Sequence, residues 1–177
     1  WYGNLSVYTP PFLLLPLDAS WNISIQTALP TTDSTAIYRG VGLGLTPENE
    51  TYDIANFGVT VYTLGLAQDD DPATSGSYVF SSARKDGETD LLIGQTNPIT
   101  PSGVYLRLAY DAGTKILSSS YDTDTNSSTR NWRQLEQISI DPDNTNSVAA
   151  SLGLTSRSKI RLGLWADNYT TNSIPSD

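Results

Sequence analysis

Residues 103–124 read GVYLRLAYDAGTKILSSSYDTD, and this stretch decides the fold. Val104, Leu106 and Leu108 alternate with Tyr105, Arg107 and Ala109, the period of a strand with one dry face. Asp111, Ala112 and Gly113 supply turn chemistry, and the chain returns through Ile116 to Tyr121. A β-hairpin is predicted, with Trp132 downstream and a further strand, IRLGLWADN, at Ile160–Asn168.

Other segments repeat the pattern. Trp21, Ile23, Ile25 and Thr27 oppose Asn22, Ser24 and Gln26, which predicts a half-buried strand over Trp21–Ala28. Ile37–Leu45 alternates Val41, Leu43 and Leu45 with Gly40, Gly42 and Gly44, so something lies close against the glycine face: a large neighbouring side chain or the curvature of the sheet, or else a ligand. Further strands are predicted at Ile54–Gly65, at Ser77–Ala83 and Asp90–Gly94 around a turn at residues 84–87, and at Trp132–Ile140. Asn146–Leu154 is the one place for a short helix. Many short strands with so little helix predict an all-β antiparallel sandwich, favoured over a closed barrel, forming a single domain over residues 1–177.

The N-terminus fits less neatly. Pro10 and Pro11 interrupt an apolar run that Pro16 closes, so residues 1–16 form either an edge strand or an extended arm that completes the sheet of a neighbouring copy.

Composition narrows the function. Ten basic against 19 acidic residues give a net charge of −9, which repels phosphate backbones and anionic membranes and argues against nucleic acid. The chain has no Cys, His or Met, so disulfides, thiolate and imidazole chemistry, and His- or Cys-based metal sites are excluded. No stretch approaches the roughly 18 apolar residues of a membrane span. The first residue is Trp1, which fits a processed or excised domain, and a secreted or cell-surface location is expected. Asn-x-Ser/Thr sequons stand at Asn4, Asn22, Asn49, Asn126 and Asn168, the acceptors of a glycoprotein.

The residues at Trp21–Gln26, the glycine-alternating strand, YLRLAYDAGTKILSSSYDTD with its following Trp, and IRLGLWADN together resemble secreted bacterial domains of the concanavalin A-like lectin and glucanase superfamily, laminin G-like modules included. The resemblance runs over Leu17–Asn168. It implies a jelly roll of two curved sheets that meets sugars on the concave sheet or along one rim, and it does not select among lectins, hydrolases, adhesion modules and structural domains.

Catalysis is not expected. Retaining glucanases of that superfamily carry Glu-x-Asp-x-x-Glu on a strand, and the nearest match, Glu48-Asn49-Glu50-Thr51-Tyr52-Asp53, has its carboxylates in another order and reads as a loop. Calcium is the cofactor that oxygen ligands would hold. Asp69, Asp70 and Asp71, with Asp141 and Asp143, are the candidate ligands, solvated acidic loops being the alternative. Asp122-Thr123-Asp124-Thr125-Asn126 opens like a calcium loop but lacks its Gly and its final Glu, and reads as a turn.

Sugar recognition needs an aromatic ring to stack on the pyranose and planar polar groups for its hydroxyls. Strand parity nominates Tyr105, Arg107, Arg161 and Trp165, with Tyr38 and Tyr62 beside them, unless Trp165 belongs to the core and Arg107 to a surface ion pair. The expected function is a non-enzymatic extracellular module that binds polysaccharide or glycoprotein glycans or serves adhesion. A subunit of a filament, a homopolymer joined through strand edges or the N-terminal arm, is the alternative, and a glycoside hydrolase is third.

Overall fold

A computed structural model describes residues 3–4, 7–29, 36–48, 61–69, 76–84, 91–96, 99, 103–144, 147 and 159–170. Within these the chain forms strands β1 (Gly3–Asn4), β2 (Val7–Pro16), β3 (Trp21–Ala28), β4 (Ala36–Pro47), β5 (Val61–Asp69), β6 (Gly76–Arg84), β7 (Leu91–Gln95), β8 (Gly103–Asp111), β9 (Ile116–Asp122), β10 (Arg133–Ser139) and β11 (Lys159–Thr170). No helix occurs among the described residues. The expected helix at Asn146–Leu154 lies outside them except for Ser147, as does the part of the Ile54–Gly65 strand before Val61.

All pairings between strands are antiparallel and build two sheets. One has the order β1-β11-β4-β5-β6-β7, with β2 also on β11, and the other the order β10-β9-β8-β3. This is the all-β antiparallel sandwich that the alternation predicts, in the jelly-roll form that the resemblance implies. β2 runs along β11 of its own chain, and its register jumps from Leu13↔Leu162 to Thr9↔Leu164. The jump spans Pro10 and Pro11, which have no N–H to give a ladder.

Period-2 patterning places the core between the sheets. Leu43, Leu45, Tyr62, Leu64, Leu66 and Val79 of the larger sheet meet Val104, Leu106, Leu108, Tyr110 and Leu117 of the smaller one, and none of these is more than 2% exposed. Each such leucine contributes about 2 kcal/mol relative to an exposed one. β8 alternates half-buried and buried from Gly103 to Tyr110, as its sequence requires. β3 alternates half-buried and exposed, because it is the outermost strand of its sheet.

The β8–β9 turn is closed by the Asp111 carboxylate, whose Oδ1 accepts the N–H of Gly113 at 2.8 Å. Its left-handed residue is Lys115, with φ of 58°, rather than Gly113. Beside this turn the Tyr110 hydroxyl donates to Leu17 O at 3.2 Å and Trp21 Nε1 donates to Pro16 O at 3.0 Å, which ties the β2–β3 connection to the hairpin.

Candidate binding surface

The outer face of the four-stranded sheet carries a row of rings and guanidinium groups. Alternation on β8 sends Tyr105, Arg107 and Ala109 outward, opposite Asp122, Ser120 and Ser118 of β9 and Gln26, Ser24 and Asn22 of β3. The β9–β10 connection then folds back over this face. Arg130 sits over the Tyr105 ring at 3.7 Å, and Arg107 sits 4.5 Å from the centroid of Trp132. Such stacking holds ring and cation in fixed mutual orientation.

Asp122 organises the return. Its Oδ1 accepts the N–H of Asp124 at 3.0 Å, its Oδ2 accepts the N–H of Asn131 at 2.8 Å, and Arg130 Nη1 stands 3.8 Å from Oδ2. Burial pushes the Asp122 carboxyl up, yet these two N–H groups and the charges of Arg130 and Arg133 together hold it below the ordinary carboxylate range. Asp124 Oδ1 accepts from the N–H groups of Asn126 and Ser127, so residues 122–127 are consecutive side-chain-closed turns. Arg130 donates to the carbonyls of Asp124 and Ser127 as well.

Arg107 is engaged far less. Its Nη2 reaches Ser120 Oγ only at 3.5 Å, and its Nε is buried without a hydrogen-bond partner among the described residues. Desolvation lowers its pKa from the ordinary arginine value. One pleat along, Ala109 and Ser118 border a shallow open hollow of about 340 Å³ that reaches to Asp111, Thr114 and Gln137. Tyr105 Oη donates to Gln26 Oε1 at 2.8 Å on the same surface.

The six nominated sugar-contact residues are not brought together. Tyr105 and Arg107 lie on this outer face, whereas Arg161 and Trp165 point from β11 to the outer face of the other sheet. Parity gives the side of its own sheet that a residue takes but not which sheet a strand joins, so the shared groove does not form. Trp165 is only 6% exposed and meets Phe80 edge-on at 5.8 Å. Tyr62 is fully buried between the sheets, because β5 turns its even-numbered residues to the core. Of Tyr38 the structure gives its place in β4, opposite Asp69 and Tyr169.

The acidic candidates divide similarly. Asp141 Oδ1 accepts the N–H of Asp143 at 3.1 Å, closing its own turn. Asp69 ends β5 opposite Gly76, while Asp70 and Asp71 lie outside the described residues. Among the described residues no three acidic side chains gather as a metal site. Of the pattern at 48–53 only Glu48 is described. Asn22 and Asn126 are exposed, Asn4 and Asn168 have places in β1 and β11, and Asn49 lies outside the described residues.

Trp132 and Arg130 were not among the nominated site residues, nor were Gln26 and Ser24. Parity along β3 would have added Gln26 and Ser24 once β3 was known to flank β8. Nothing in the local sequence signals that residues 123–132 fold back over the sheet.

No protein-family model and no curated protein sequence matches the chain. Among solved structures it is similar to the potassium-bound carbohydrate recognition domain of Emp46p, at 15% identity and a TM-score of 0.58, covering 93% of this chain and 70% of that one. It is also similar to peanut lectin bound to a 9mer peptide, at 10% identity and a TM-score of 0.54, covering 96% and 81%. Lectin II from Ulex europaeus gives 10% identity and a TM-score of 0.51, covering 89% and 78%. At such identities the likeness is one of fold, the lectin-type sandwich expected from the sequence.

Proposed function

We propose that this chain is a non-enzymatic glycan-binding module that works outside the cell, and that it meets sugar on the outer face of the four-stranded sheet. The observation that carries this reading is the platform itself. Two half-buried rings, Tyr105 and Trp132, are each fixed by a guanidinium and stand among the amides of Asn22 and Gln26 and the hydroxyl of Ser24, next to an open hollow. A pyranose presents an apolar face for rings and hydroxyls for planar polar groups, and this surface offers both. The fold likeness to a carbohydrate recognition domain and to two lectins supports the reading.

The test is a glycan array with the wild-type chain and the Trp132→Ala and Tyr105→Ala variants. At least one glycan class binds wild type and is lost in both variants, while the circular dichroism of all three chains agrees. Binding that survives both substitutions moves the site elsewhere, and the absence of any glycan ligand overturns the function.

A second reading has one observation in its favour. Leu13 and Leu14 on β2, with Leu164 on β11, are 52%, 46% and 49% exposed, and among the described residues nothing pairs with the far edge of β2. Exposed leucines on an open edge strand and on the strand beside it suit a subunit of an extracellular filament. Polymers by size exclusion that disperse in a Leu13→Lys, Leu14→Lys variant would favour it, and a monomer at high concentration would remove it.

A further inference from the structure

Resting on the glycan reading above, we propose that the Arg107 guanidinium anchors a carboxylate, so that the platform selects acidic sugars, of uronic or sialic type, over neutral ones. Among the described residues Arg107 is the arginine of the platform that stands beside no carboxylate and makes the fewest hydrogen bonds. An arginine carries five N–H donors, and among the described residues the only hydrogen bond from Arg107 is the 3.5 Å contact to Ser120 Oγ. Arg130, by contrast, spends its donors on two carbonyls and stands beside Asp122.

The carboxylates at the end of β9 and in the connection that follows it, Asp122 and Asp124, already have partners. Asp122 is held by two backbone N–H groups and by Arg130, and Asp124 by two further N–H groups. No carboxylate pairs with Arg107 among the described residues, in a chain with almost twice as many acidic as basic side chains. A half-buried cation without a counter-ion costs free energy that a bound anion recovers.

Geometry selects the anion. Trp132 packs 4.5 Å from the guanidinium centre, Nε is buried and Nη2 makes only the 3.5 Å contact to Ser120 Oγ, so the fork formed by the two terminal nitrogens is the part of the group left to meet a ligand. That fork matches a planar carboxylate through two parallel hydrogen bonds. The hollow bordered by Ala109 and Ser118 begins one pleat away, about 7 Å along the strand, where the ring of the same sugar fits. The net charge of −9 disfavours long polyanions, so the ligand is a glycan with isolated carboxylates.

The experiment uses oligosaccharides ending in a uronic or a sialic acid, each as the free acid and as its methyl ester, with the matching neutral and sulfated sugars. They are titrated into wild type, Arg107→Gln and Arg107→Lys. At least one free acid binds wild type about tenfold or more tightly than its ester, the expected scale for a charge-assisted hydrogen-bonded pair. Arg107→Gln abolishes that preference and Arg107→Lys keeps part of it. The acid-to-ester ratio in wild type needs no variant to fold.

Equal binding of acid and ester, an acid preference that survives Arg107→Gln, or tighter binding of the sulfated sugar would each overturn the carboxylate assignment. Neutral sugars that bind while every acid fails would overturn it and leave the glycan reading standing. If no sugar of any kind binds, the glycan reading falls and this inference falls with it.

Discussion

The Cβ that Gly65 lacks would lie 2.3 Å from Cζ2 of Trp165 and 2.9 Å from Cε1 of Phe80. The indole of β11 thus reaches across β4 and onto β5, over a floor that has no side chains. Gly65→Ala is expected to destabilise the fold by about 2 kcal/mol, the cost of forcing a methyl into a filled space. Gly42→Ala should cost more, because its Cβ would meet the carbonyl oxygen of Leu64 at 2.1 Å and the Cα of Gly65 at 2.7 Å, and backbone cannot swing aside. Urea unfolding monitored by tryptophan fluorescence measures both. A Gly65→Ala chain as stable as wild type would mean that the indole simply shifts.

That pair also shows how far the sequence could be read. The glycines at 40, 42 and 44 announce a close approach, and at Gly42 the approaching group is the backbone of β5, Leu64 O and the Cα of Gly65, while on the neighbouring Gly65 it is the Trp165 ring. The Trp21–Ala28 strand, the Gly103–Tyr121 hairpin and the dry faces of β4 and β8 were legible because period-2 alternation is a local property. Sheet membership is not local. Tyr105 and Trp165 share the pattern of outward residues, yet β8 and β11 join different sheets, so their surfaces are separate. The half of the platform built by Arg130 and Trp132 depends on the hydrogen bonds of Asp122 to residues up to nine positions away, which no periodicity reports.

Tyr62 offers a test of the core. Its hydroxyl and that of Ser81 are buried between the sheets without a hydrogen-bond partner among the described residues. Burial, aided by the charge of Glu136, raises the Tyr62 pKa above 10.0, and the nearby hydroxyls of Ser119 and Ser81 offset this only in part. Tyr62→Phe removes a buried polar atom and should stabilise the chain by up to about 1 kcal/mol. The sign at high pH follows from the raised folded pKa. Wild-type stability is full below about 10, where the unfolded tyrosine is neutral, and is lost as pH rises toward the folded value. Tyr62→Phe lacks that alkaline loss, and a variant less stable than wild type at neutral pH would show that the hydroxyl has a partner.

Lys115 holds a positive φ of 58° at the end of the β8–β9 turn, a conformation that costs a side-chain-bearing residue about 1 kcal/mol or more. Lys115→Gly relieves that cost and should raise stability by up to about 1 kcal/mol, the greater freedom of glycine when unfolded offsetting part of the gain. Lys115→Val should lower it, since a branched Cβ is worse there than lysine. Thermal unfolding of the three chains gives the order, and a destabilised glycine variant would contradict it.

Asp122 ties the platform to pH. Its carboxylate is 3% exposed and accepts from Asp124 and Asn131, so Asp122→Asn exchanges one acceptor oxygen for a donor that faces an N–H or Arg130. The loss at neutral pH should be about 2 kcal/mol, typical of broken hydrogen bonds to a charged group. Because the folded pKa is depressed, the stabilisation is fully present above the unfolded value near 4 and disappears as pH falls through the lower folded value. The gap between wild type and Asp122→Asn is therefore wide at pH 7 and closes in acid. Since Asp122 also positions Arg130 over Tyr105, the variant should lose the glycan binding proposed for the platform in the same titration. Urea unfolding at a series of pH values reads the first effect, and a gap that stayed constant into acid would show that the carboxylate charge has no part in closing the loop.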